Sequence, residues 1–213
     1  MNKRIFLILG IVVIIATLFW YSSVLQSTFY VVVDFFNKLV IYNEYLAVLL
    51  FILIAATAAL ISPFTNVPLI PVAVVIWGPL FTTILLLFGW LVGDILAYVV
   101  GRYLGYQAIC YIISEEKFDN LINTIKVHTN FLRALFFRLA LPAELGYIFG
   151  IIRYHFWKYL LITFLAELPF AIVSTYASEA ILSGNTIKFF EFMGVLSIVI
   201  FIIFQKIHKT MSR

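Results

Sequence analysis

The stretch PLFTTILLLFGWLVGDILAYVV, Pro79–Val100, decides the fold. It is long and apolar enough to cross a hydrocarbon core of about 30 Å as one helix. Asp94 stands well inside it. A carboxylate near the bilayer centre costs at least about 2.5 kcal/mol, so Asp94 must face protein or water rather than lipid. Gly89, Gly93, Ala97 and Gly101 recur every four residues and form a small-residue stripe for close helix contact. Asp94, Tyr98 and Arg102 run beside it at the same spacing, so one helix offers a packing face and a polar ladder. Outside this stretch, Arg138, Glu144 and Glu167 also stand in apolar surroundings. Four such charges point to a polar path through a membrane protein rather than to a mere anchor.

Composition agrees. Of 213 residues, 64% are hydrophobic and 11% charged, with a mean hydropathy of +1.11. A soluble domain of this size would lack the polar surface to cover itself. Strand-like alternation is absent, which sets a transmembrane barrel aside. The fold class expected is an all-α integral membrane protein with about four full transmembrane helices plus two inverted re-entrant hairpins. A single cysteine, Cys110, excludes an intrachain disulfide and a cysteine metal cluster. His128, His155 and His208 are scattered, and no nucleotide-loop, nucleophile-elbow or zinc-protease pattern occurs. The chain therefore reads as no enzyme, with no cofactor and no metal. Its net charge of +4 reads as topology rather than as a nucleic-acid footprint.

Along the chain, Ile5–Leu25 reads as a first span, a retained signal anchor rather than a cleaved signal peptide. Phe29–Tyr42 reads as an interfacial helix with an Asp34–Lys38 pair. Tyr45–Ile61 is followed by Pro63, Pro68 and Pro71, three prolines within nine residues. Prolines so spaced break a helix, because each lacks an N–H and restricts its predecessor. Tyr45–Gly78 is expected to be a re-entrant hairpin, two ordinary helices being the alternative. Ser114–Thr129 reads as an amphipathic surface helix. Phe131–Gly150, carrying Pro142 and Glu144, is a second broken segment. Phe156–Tyr176, with Glu167 near Pro169, and Phe189–Phe204 read as spans. The domains expected are residues 1–43, a signal-anchor and interfacial helix; 44–205, a membrane domain; and 206–213, a basic tail. Within the membrane domain, inverted repeats 44–102 and 131–205 are joined by the amphipathic helix 114–130.

The repeat rests on spacing. Pro71 precedes Gly78, and Asp94 follows that glycine by sixteen residues; Pro142 precedes Gly150, and Glu167 follows it by seventeen. A broken hairpin followed by an acid-bearing span, twice, is the outline of inverted-repeat transporters. With both termini cytoplasmic, Lys3, Arg4, Arg102, Lys117, Lys126, Arg133, Arg138, Arg153, Lys158, Lys206, Lys209 and Arg213 fall on the inner side or in the hairpin entering from it. Only Lys38 and Lys188 fall outside, which fits the positive-inside rule.

Gly93-Asp94-Ile95-Leu96-Ala97-Tyr98-Val99-Val100-Gly101-Arg102-Tyr103-Leu104-Gly105 resembles the G-D-x-x-x-Y-x-x-G-R-x-x-G signature of the DedA family, within the SNARE-associated Golgi (VTT-domain) superfamily. Pro68-Leu69-Ile70-Pro71 to Trp77-Gly78 resembles that family's first hairpin, and Arg138-Leu139-Ala140-Leu141-Pro142 through Gly150 its second. The resemblance covers about Tyr45–Phe204. One departure is Ile70-Pro71-Val72, where the family often has P-G-E, so an acid-dependent step at that turn does not carry over. Glu144 is not matched to a family position either. The resemblance implies movement of lipids between leaflets: undecaprenyl phosphate or phosphatidylethanolamine in bacteria, phospholipid scrambling in eukaryotes, with proton-motive-force homeostasis in some members.

The expected function is a flippase- or scramblase-like lipid transporter whose groove, formed by the two hairpins, passes phospholipid or polyprenyl-phosphate headgroups. Arg138, Pro142 and Arg102 are the candidate headgroup-binding residues. Arg138 would grip phosphate in bidentate fashion, and Pro142 would free backbone N–H groups. Asp94, Glu144 and Glu167 are the candidate proton or charge relay. Pro68, Pro71, Gly78, Gly93, Gly101 and Gly150 would shape the hairpins. Each charge has a plainer reading: Arg138 in an ion pair with Asp94, Glu144 or Glu167, Glu167 bonded to backbone near Pro169, Asp94 as a packing bond, Arg102 snorkelling to the interface. A proton- or cation-coupled solute transporter and a non-transporting scaffold are the alternatives. Anionic lipid headgroups are the expected partners, with a homo-oligomer open and nucleic acid excluded. The expected location is an integral place in a membrane, the plasma (inner) membrane if the source is prokaryotic, with both termini cytoplasmic.

Overall fold

A computed structural model describes residues 23–61, 66–109, 131–140 and 144–211. The expected anchor (apart from 23–25), the amphipathic helix 114–130, Pro63 and Pro142 lie outside them. Every regular element among the described residues is helical. They are α1 (Ser23–Tyr42), α2 (Glu44–Leu60), a 3-10 turn (Val67–Leu69), α3 (Ile70–Ile109), α4 (Phe131–Ala140), α5 (Glu144–Ile151), α6 (Phe156–Leu182) and α7 (Thr186–Met211). The chain separates into two compact units, Met1–Ala47 and Val48–Arg213.

In the first unit, α1 carries the exposed Asp34–Lys38 pair at 2.6 Å. An exposed pair of this kind contributes only about 0.5 kcal/mol. Asn43 interrupts the chain after α1, and its side chain accepts a hydrogen bond from the Leu46 N–H at 3.1 Å, capping the start of α2.

The second unit is organised by α3. Val67–Gly105 and Phe156–Leu182 are the two described helices long and apolar enough to cross a membrane, while Glu44–Leu60 is apolar but shorter. Pro68 sits in the 3-10 turn and Pro71 in the first turn of α3, where a missing N–H needs no helical partner. Gly78 then breaks the helix at φ 76°, ψ 166°. Its left-handed φ suits glycine and lets Pro79 start a new run. α3 thus has a short limb, 70–77, and a long limb, 79–104, ended by Gly105 at φ 71°.

The small-residue stripe on the long limb serves two neighbours. A Cβ on Gly89 would stand 2.6 Å from the Ala55 Cβ, and one on Gly93 would meet the Ala56 carbonyl, so α2 packs there. A Cβ on Gly101 would meet the Tyr147 carbonyl. Gly146 of α5 lies against Ala97, and Gly150 against the Tyr98 carbonyl and Arg102 backbone nitrogen. The contacts ascend together in both cases, so α2 and α5 each run parallel to the long limb, α2 along its middle and α5 nearer its C-terminal end.

α6 lies antiparallel across the same limb. Thr83 meets Thr175 at 2.6 Å, and the Tyr98 and Tyr159 rings stack at 5.0 Å. The shared core comprises Ala97, Tyr98, Ala134, Phe137, Leu145, Tyr147, Ile148, Phe149, Tyr159 and Ile162. Leu80, Ile84, Phe88 and Leu96 of α3, and Trp157, Leu161, Phe164 and Ile172 of α6, stay exposed. Charges inside and large apolar side chains outside invert the soluble pattern and match a lipid-facing surface.

Candidate functional site: a buried ion cluster

Arg138 lies in the last turn of α4, only 2% exposed. Its Nη2 donates to Asp94 Oδ2 at 2.5 Å and to Glu167 Oε1 at 2.8 Å. Its Nε donates to Thr163 Oγ1 at 3.4 Å. Asp94 comes from the long limb of α3, and Thr163 and Glu167 from α6, so three helices converge on one guanidinium. Tyr159 adds a fourth link, its hydroxyl donating to the Asp94 carbonyl at 2.9 Å. Such a cluster forms in an apolar interior because an unpaired charge there is far more costly than a paired one.

The cluster holds one guanidinium and two carboxyl groups. Asp94 Oδ1 and Glu167 Oε2 are buried without a hydrogen-bond partner among the described residues. These two oxygens are therefore ready acceptors for a proton, a water or a cationic group. Arginine stays charged at any working pH, so any change of state in the cluster must come from exchanging the partners of Arg138 or from protonating a carboxyl.

The other expected residues fall elsewhere. Arg102 is exposed, and its Nη1 donates to the Tyr98 hydroxyl at 2.9 Å, which itself donates to the Tyr154 carbonyl at 2.6 Å. It ties the turn before α6 to α3, two turns beyond Asp94. Glu144 opens α5, but its side chain lies outside the described residues, as does Pro142. Gly93, Gly101 and Gly150 act at close backbone approaches, and Gly78 at the break in α3.

Sequence reasoning overlooked Tyr159, Thr163 and Tyr147. Tyr159, Thr163 and Glu167 recur every four residues, the same ladder as Asp94, Tyr98 and Arg102, and that spacing was the available signal. Tyr147 donates to the Leu60 carbonyl at 2.7 Å, joining α5 to the last turn of α2. That bond satisfies a helix-end carbonyl, and nothing in the local sequence announces it. Among the described residues no group of three or more His, Cys, Asp or Glu side chains could hold a metal ion.

Apolar helices enclosing a buried ion cluster define a helical membrane protein. A model of the VTT domain matches residues 63–180. That is more than half of the chain, which therefore belongs to this family, the domain of the DedA and SNARE-associated Golgi membrane proteins. No curated protein and no solved structure matches it.

Proposed function

We propose that the protein moves lipid headgroups between membrane leaflets, with Arg138 as the phosphate-binding group. The observation that carries this reading is the buried guanidinium, held by Asp94 and Glu167 where two broken helix pairs meet the long limb. In this reading α2 with the short limb of α3, and α4 with α5, are re-entrant hairpins entering from opposite faces. The headgroup follows the polar groove between them while its acyl chains stay in lipid.

A phosphate reaching Arg138 takes the place of a carboxylate, and the released carboxyl is neutralised by a proton. Asp94 and Glu167 are thus the relay, with Glu144, at the start of α5, a third member. Arg102 meets headgroups at the interface. The protein acts as a transporter rather than an enzyme, in a prokaryotic plasma membrane with both termini cytoplasmic.

The test is leaflet exchange of a fluorescent phospholipid in vesicles containing the purified protein, read by dithionite quenching. Exchange above the empty-vesicle rate, abolished by Arg138→Gln and Asp94→Asn, is the expected result. Folded Arg138→Gln protein that still exchanges lipid would exclude the mechanism. A second reading, proton- or cation-coupled movement of a small solute, draws on the excess carboxyl and its two unpartnered oxygens. It predicts proton flux without lipid exchange.

A further inference from the structure

We infer that Asn66 is a second headgroup-binding residue, donating from its side-chain amide to a phosphoryl oxygen beside Arg138. The inference rests on the lipid-transport reading above and deepens it. Asn66 is 3% exposed and stands just before the 3-10 turn that opens the short limb of α3. Its Oδ1 accepts a hydrogen bond from Trp90 Nε1 at 3.3 Å. That bond fixes the amide, since the indole N–H can only donate. The Nδ2 group, a double donor, is buried with no acceptor among the described residues. An amide donor buried without an acceptor bears its full desolvation cost unrepaid. A site that fills during a transport cycle supplies what is missing.

Placement says what fills it. Trp90 lies one helical turn from Asp94, within about 40° of it around the helix axis. Thr83, one turn and three residues before Trp90, falls on the same face, which α6 covers at Thr175. The indole that Asn66 holds therefore springs from the face of α3 that carries Asp94, one turn before it. Arg138 arrives there from the second broken pair and Asn66 from the first. A cationic fork and a neutral double donor, whose partners Asp94 and Trp90 stand one turn apart on α3, suit an anion with several oxygens. The ligand class is a phosphate monoester or diester, whether on a lipid headgroup or as the free anion.

The experiment titrates the purified full chain in detergent with dioctanoyl phosphatidic acid, following tryptophan emission, to which Trp90 contributes. Dioctanoylglycerol and inorganic phosphate run in parallel. Asn66→Asp keeps the acceptor for Trp90 and removes the donor. It should weaken phosphatidic acid binding at least tenfold and leave the melting temperature within a few degrees. If that variant fails to fold, Asn66→Ala serves and should show the same loss. Saturable binding of phosphatidic acid but not phosphate identifies a lipid headgroup; binding of both identifies the phosphoryl group alone. Equal affinity in wild type and a folded Asn66 variant, with Arg138→Gln still losing binding, overturns the Asn66 assignment and spares the transport reading. A wild type that neither binds phosphatidic acid nor exchanges lipid overturns both.

Discussion

The two broken helix pairs pack on neighbouring stretches of the same limb of α3, yet their polar contacts differ in kind. The first pair offers a neutral contact, Asn66 on Trp90. One turn further along, the second offers a charged one, Arg138 on Asp94 and Glu167. A neutral hydrogen bond nets about 1 kcal/mol and its loss is local. An ionic cluster carries a large desolvation cost, so it persists only while every partner is in place. The difference teaches that similar packing can carry unequal chemistry. The first pair positions, and the second can change state.

The largest test of that contrast is Arg138→Met. Stranding two buried carboxyls should cost about 3–5 kcal/mol, read as a lower unfolding midpoint in detergent. Adding Asp94→Asn and Glu167→Gln should recover most of that stability without restoring lipid exchange. A single variant as stable as wild type would mean that the cluster is open to water.

Packing offers the second test, because there the two pairs should behave alike. Gly93→Ala pushes a Cβ into the Ala56 carbonyl and Gly101→Ala into that of Tyr147, each an encounter with backbone. Each should cost about 1–3 kcal/mol. Differential scanning of both variants would break the comparison if only one were destabilised.

Removing the Tyr147–Leu60 bond by Tyr147→Phe should cost about 1 kcal/mol. Because the bond joins α5 to the end of α2, faster hydrogen exchange at the α2 terminus is the accompanying signal. Thr83→Val is the smallest change, about 0.6 kcal/mol, the average for a hydrogen bond between membrane helices. Its shift in unfolding midpoint should not alter lipid exchange, since Thr83 and Thr175 bond each other outside the cluster.

Much of the framework was legible from local features. The proline-rich interruption before α3 and the glycine at 78 mark breaks by backbone sterics alone. The four-residue spacing of Gly89, Gly93, Ala97 and Gly101 announced a close-packed face. It could not announce that the first two residues would serve α2 and the last two α5, since one stripe fits any partner of suitable shape. Asp94, Arg138 and Glu167 stood out as misplaced charges, but Glu144 stood out equally. Asn66, Tyr147, Tyr159 and Thr163 did not stand out, because neutral polar residues in a membrane helix more often bond their own backbone.

The amino-acid sequence by itself determined that this chain is a helical membrane protein with broken segments and charges that must be hidden from lipid. Those properties follow from hydropathy, helix sterics and the cost of a lone charge, all of which act within a few turns. Only the tertiary structure decided that Arg138 reaches across 44 positions to Asp94 and 29 to Glu167. Neutralising a buried charge needs atoms within hydrogen-bond distance, and which atoms come that close depends on how whole helices pack.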